Sequence, residues 1–88
     1  EERFGLTAQL RRSAISIASN IAEGYGRNST QDYVRFLRMA RGSLLEAETQ
    51  LFFAKELGMM EHDHATPIDA LFDECARVLT GLIQSIHP

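Results

Sequence analysis

Eight arginines and one lysine supply all the fixed positive side-chain charge of this 88-residue chain. A guanidinium is planar and binds carboxylate or phosphate through paired hydrogen bonds, so arginine in place of lysine favours geometric recognition of anions. Arg35, Arg38 and Arg41 recur every three residues, which on a helix makes a slowly drifting stripe. Arg11 and Arg12 precede them, and Arg27 stands between the two groups. Tyr25, Tyr33 and Phe36 lie nearby in sequence and offer rings on which bases can stack. Arg11, Arg12, Arg27, Arg35 and Arg38 are therefore the candidate nucleic-acid contacts. The competing use of the same side chains is ion pairing within or between subunits, and a net charge of −3 weighs on that side.

Other chemistry has little to stand on. Glu61-His62-Asp63-His64 contains Glu-x-x-His once, whereas a di-metal helical bundle uses that string twice together with inward glutamates. It falls between Gly58 and Pro67, an expected loop, with no cysteine nearby to complete a zinc site. No Gly-x-Ser-x-Gly elbow occurs. Gly24-Tyr25-Gly26 lacks the third glycine and the preceding strand of a dinucleotide fingerprint. Cys75 is the only cysteine, so no internal disulfide forms, and its place in an apolar stripe makes it a small core residue. The expectation is a protein that is not an enzyme, with no cofactor, metal or small-molecule substrate.

Three helices must position these residues. Leu6, Leu10, Ala14, Ile17 and Ile21 give the first an apolar face over about 6–23, with Gly24 and Gly26 to stop it. Ser13, Ser16 and Ser19 make a second track, suited either to a closely approaching helix or to solvent. The second helix spans about 30–57, capped by Ser29 with Asp32 in its first turn. Its seam is Tyr33, Leu37, Ala40, Leu44, Ala47, Leu51 and Ala54, in the alternating steps of bundle packing. Phe36, Ser43, Phe53 and Leu57 form a neighbouring stripe. Gly42 costs about 1 kcal/mol relative to alanine in mid-helix, which points to close backbone approach there. Gly58 is the stop. The third helix is expected to start at Thr66, with Pro67 first and Asp69 behind it, and to end near His87 and Pro88. A second helix apolar on two stripes needs a fourth element, from an upstream segment or a partner subunit.

One domain over 1–88 is expected from the length. No apolar run reaches the roughly 18 residues of a membrane helix. A single cysteine and no signal peptide point to the cytoplasm, although the chain begins at Glu1 rather than Met and an upstream segment is expected. Charge is unevenly spread. Residues 1–44 carry seven arginines against four acids, and residues 45–88 carry Lys55 and Arg77 against eight acids.

Two segments are specific enough to suggest relatives: Ser19-Asn20-Ile21-Ala22-Glu23-Gly24-Tyr25-Gly26-Arg27, and Ala40 to Glu46 with Phe36-Leu37 before it. With Phe4 to Thr7 and Leu10 to Ala14, they resemble the bacterial 23S rRNA intervening-sequence proteins. The resemblance implies an all-α, up-and-down antiparallel four-helix bundle, of which this chain holds three helices and lacks a first one upstream of Glu1. It also implies a ring-like homopentamer, encoded within insertions in 23S rRNA genes or elsewhere in genomes, with no established activity. Accessory proteins of diversity-generating retroelements are similar and bind nucleic acid and a reverse transcriptase through a basic surface, whereas this chain is acidic overall. The expected function is a non-catalytic homo-oligomer associated with RNA through the arginines. The alternative is a structural or protein-binding scaffold. Asn20, Glu23, Arg41, Ser43 and Glu46, polar residues within the two segments, are expected to form a cluster that sets helix register.

Overall fold

Periodic apolar residues, a serine cap and a left-handed glycine divide the chain into three α-helices: α1 (Glu2–Tyr25), α2 (Thr30–Glu56) and α3 (His62–Ile86). The computed structural model describes residues 2–86, with side chains from Gly5 onward, and no strand occurs among them.

The middle helix organises the other two. Ser13 bonds to Gln50 and Ser16 to Ser43, so positions climb along α1 as they descend along α2. Lys55 bonds to Asp69, and seven residues earlier on α2 Glu48 acts electrostatically on Cys75, six residues later on α3. Each neighbouring pair is thus antiparallel. Among the described residues, close backbone approach joins α1 to α2 and α2 to α3, and Ile17 of α1 shares one core with Leu79 and Ile83 of α3. The Cα cross-section, 21 × 13 Å, fits this arrangement. With helix axes about 10 Å apart, three helices in a plane would measure about 25 × 5 Å and a right-angled corner about 19 × 12 Å. The described helices are therefore nearer to such a corner, whose fourth quadrant holds none of them, than to a plane.

The seam of α2 is built from two ladders. Leu37, Leu44 and Leu51 recur every seven residues and are at most 1% exposed. Ala40, Ala47 and Ala54 recur at the same interval and are equally hidden. Each alanine follows by four a residue that meets α1: Phe36 beside Gly24, Ser43 on Ser16, Gln50 on Ser13. The alanines therefore lie toward α1 and let it come close, while Leu37 and Leu44 join Ile17, Leu79 and Ile83 in one core that also takes in Ala40.

Four expectations change. Of the expected α1 face only Ile17 is buried. Leu6, Leu10 and Ile21 are half-buried and Ala14 is exposed. α1 instead turns its small polar track inward, burying Ser13 and Gly24 and half-burying Ser16 and Asn20. Ser19 stays exposed. Paired hydroxyls remove the cost of burying this track, and their small size permits close contact.

The glycines exchange roles. A β-carbon at Gly42 would meet nothing within 4 Å, so no backbone approaches there. Gly24 is where the helices touch, and α1 runs past it to Tyr25, closing with Gly26 N–H on the Ala22 carbonyl and Arg27 N–H on that of Gly24. Gly58 has φ of +72°, as the end of α2 requires.

α3 begins at His62, four residues before Thr66, so Pro67 lies inside the helix. Fully buried Ala65 anchors this extra turn, and the Thr66 hydroxyl takes up the His62 carbonyl. Pro67 removes one bond to a carbonyl in the exposed first turn, a tolerable loss there. The expected end near His87 and Pro88 lies outside the described residues.

Candidate nucleic-acid interface

The four-residue turn between α1 and α2 gathers three of the five candidate arginines. Ser29 caps α2, its Oγ accepting from the Asp32 N–H at 3.0 Å. This fixes the first turn of α2 and places Phe36 against α1 with 9% exposure. The Arg27 and Arg35 guanidiniums both lie over the Phe36 ring, at 4.9 and 4.7 Å from its centre. Arg27 Nη2 donates to Glu23 Oε2 at 2.8 Å, and Arg35 Nη2 lies 3.6 Å from Asp32 Oδ1. Two cations and two anions thus clasp one ring, tying the end of α1, the turn and the start of α2 together with no net local charge. Tyr25 meets Tyr33 edge to face at 6.1 Å and leaves most of its own ring exposed.

Arg38 is different. It is exposed and enters no ion pair among the described residues. With Gln31, Asp32, Val34, Arg35 and Met39 it lines an open concavity of about 610 Å³. Arg11 and Arg12 belong elsewhere. They sit thirteen or more residues before the end of α1, about 20 Å along the helix. Arg12 edges a polar groove of about 330 Å³ with Gln9, Ser13, Ser16, Glu46 and Gln50. The structure therefore divides the expected stripe into two groups.

The expected register cluster is also divided. Asn20 donates to the Ser16 carbonyl at 2.8 Å and to its Oγ at 3.2 Å, and Ser16 Oγ is 2.9 Å from Ser43 Oγ. Ser13 Oγ donates to Gln50 Oε1 at 3.1 Å. The interhelix polar seam is thus Ser13, Ser16, Asn20, Ser43 and Gln50. Glu23 serves Arg27, and Glu46 lines the groove. Arg41, half-buried, makes no ion pair with Glu23, Glu46 or Glu48 among the described residues. The spacing of Ser13, Ser16 and Asn20 on one helix, and of Ser43 and Gln50 on the next, carried the signal for this seam. Lys55 Nζ to Asp69 Oδ2, 2.7 Å, is an ion pair that the sequence reading missed.

Remaining titratable groups are dispersed. Glu61 and His64 approach to 3.6 Å on an exposed turn, and no three His, Cys, Asp or Glu converge to hold a metal among the described residues. Burial pushes the Cys75 thiol above its ordinary range, and the Glu48 carboxylate pushes it further. Among the described residues no helix is long and apolar enough to cross a membrane.

An all-α chain of three helices, with its polar seam between α1 and α2 and a clasp at their turn, is what the fold defines. The chain belongs to the 23S rRNA-intervening sequence protein family, whose model matches residues 1–81. No curated protein matches it.

Proposed function

We propose that this protein is a non-catalytic, cytoplasmic helical building block that works as a homo-oligomer, its open corner filled by a fourth helix in an up-and-down bundle. The observation that carries the reading is apolar surface left uncovered on α3 and on α2. Leu71 and Val78, seven residues apart on α3, are 66% and 62% exposed, and half-buried Cys75 and Leu82 continue the same stripe. Leu45 and Phe52, also seven apart, leave a second exposed stripe on α2. Water contact with such surface costs roughly 25 cal/mol per Å², which association recovers. A homopentamer is the assembly that the family resemblance suggests. Light scattering tests the reading: a mass of several chains that falls with Val78→Glu or Phe52→Glu supports it, and a monomer at all concentrations sinks it.

A second reading, association with RNA, is favoured by one observation: Arg38 is exposed and has no ion pair among the described residues, beside Arg35 and a concavity large enough for a nucleotide. Fluorescence anisotropy with rRNA fragments tests it. Binding that weakens steeply between low and moderate salt supports it, and salt-independent binding or none counts against it.

A further inference from the structure

We propose that the concavity on the first three turns of α2 is a nucleotide site, with Arg35 and Arg38 holding a phosphate and Met39 giving the attached nucleoside an apolar edge. This deepens the RNA reading and rests on it.

Four features of the concavity point to this class of ligand. Its volume, about 610 Å³, lies within the range of small-molecule sites. Its charge is one net positive unit, from Arg35 and Arg38 against Asp32, which matches the single negative charge of a phosphodiester. Its cations are oriented unequally. Arg35 is held over the Phe36 ring at 4.7 Å and only loosely paired with Asp32 at 3.6 Å, so N–H donors remain unconsumed. Arg38, three residues on, has no ion-pair partner among the described residues to give up. Two guanidiniums at this spacing repel one another until an anion lies between them. The fourth feature is an apolar edge. Met39 is 46% exposed, a flexible thioether against which a planar ring can lie.

Gln31 completes the lining and supplies a carboxamide, which both donates and accepts, as the edge of a base requires. Of the amides at the α2 N-terminus, that of Asp32 is taken up by Ser29. Arg27 plays none either: its partner is Glu23 at 2.8 Å, and its role is to hold the turn. The polar groove beside Arg12 has Glu46 on its rim and no apolar side chain in its lining, so it lacks both marks of a nucleotide site.

The test follows arginine side-chain N–H resonances while the whole chain is titrated with uridine monophosphate, uridine or inorganic phosphate. The expected result is a response of Arg35 and Arg38 to the nucleotide, weaker for phosphate and absent for uridine. Arg38→Gln abolishes that response, whereas Arg77→Gln on α3 leaves it unchanged. An oligouridine arm then separates a free nucleotide from RNA. There Arg38→Gln weakens binding about tenfold and lowers the salt slope by about 0.7. Equal responses to phosphate and nucleotide, or responses confined to other arginines, overturn the site. Oligouridine bound equally by the wild type and Arg38→Gln overturns the site while leaving RNA association standing. Failure of any salt-dependent oligouridine binding overturns the RNA reading itself.

Discussion

Gly24 and Phe36 touch so closely that a β-carbon added at position 24 would lie 2.7 Å from that of Phe36. The same atom would come within 3.1 Å of the Tyr33 ring and 3.3 Å of the Tyr33 carbonyl oxygen. The Phe36 β-carbon is fixed to its backbone and cannot swing aside, so α1 and α2 must separate to admit a methyl group. Gly24→Ala is expected to destabilise by about 1–3 kcal/mol, the usual cost of overpacking. Gly42→Ala, exposed and with nothing within 4 Å, is expected to stabilise by up to about 1 kcal/mol. Urea unfolding of the two variants reads both signs, and a neutral Gly24→Ala would refute the contact.

The Lys55–Asp69 pair joins α2 to α3 and is better shielded than the Arg27–Glu23 pair. Side-chain exposures are 21% and 41% for the first, 41% and 55% for the second. Solvent screening still limits both. A double-mutant cycle is expected to give about 1 kcal/mol of coupling for Lys55–Asp69 and about 0.4 kcal/mol for Arg27–Glu23. Reversal of that order would show that burial does not govern the pairs.

Cys75 gives the fold a pH dependence on the alkaline side. Burial, and then Glu48, raise the thiol in the folded chain, so the native state keeps its proton longer than the unfolded one. The stability this contributes is fully present below the unfolded thiol pKa and is lost as pH rises through the folded one. Native alkylation by a thiol reagent is expected to reach half-maximal rate at a higher pH than in urea. Glu48→Gln should shift that midpoint downward, and coincident profiles for native and unfolded chains would contradict the assignment.

Ser29 closes the open end of α2 by accepting from Asp32 N–H at 3.0 Å. Ser29→Ala is expected to cost about 1 kcal/mol. Ser29→Asp, which keeps an acceptor and suits the helix dipole, should restore most of it, as thermal unfolding at one pH will read.

The seam of α2 was legible because leucine and alanine each recur every seven residues, and nothing but a bundle face demands that. The face of α1 was not. Serines at 13 and 16 suit a closely approaching helix or solvent equally until Ser43 and Gln50 are known to stand opposite, and local spacing does not decide between the two. Gly42 drew notice because it stands alone in a helix, while Gly24 passed for a stop signal beside Gly26. Pro67 misplaced the start of α3 because proline favours a first turn, yet burial of Ala65 outweighed that preference. The arginines were found as residues but not as groups. Arg27 and Arg35 are eight apart in sequence, and only the turn reveals that they share one ring.

Because α2 holds the backbone contacts of both outer helices, the order in which the native molecule comes apart is biased. Loss of either outer helix leaves α2 in contact with the other, while it uncovers the core that Ile17 shares with Leu79 and Ile83. Amide hydrogens along Leu37–Leu51 should therefore exchange last. Backbone contacts confined to neighbouring helices joined by short turns also mean little chain must be searched to reach the native state, so assembly can begin from either hairpin.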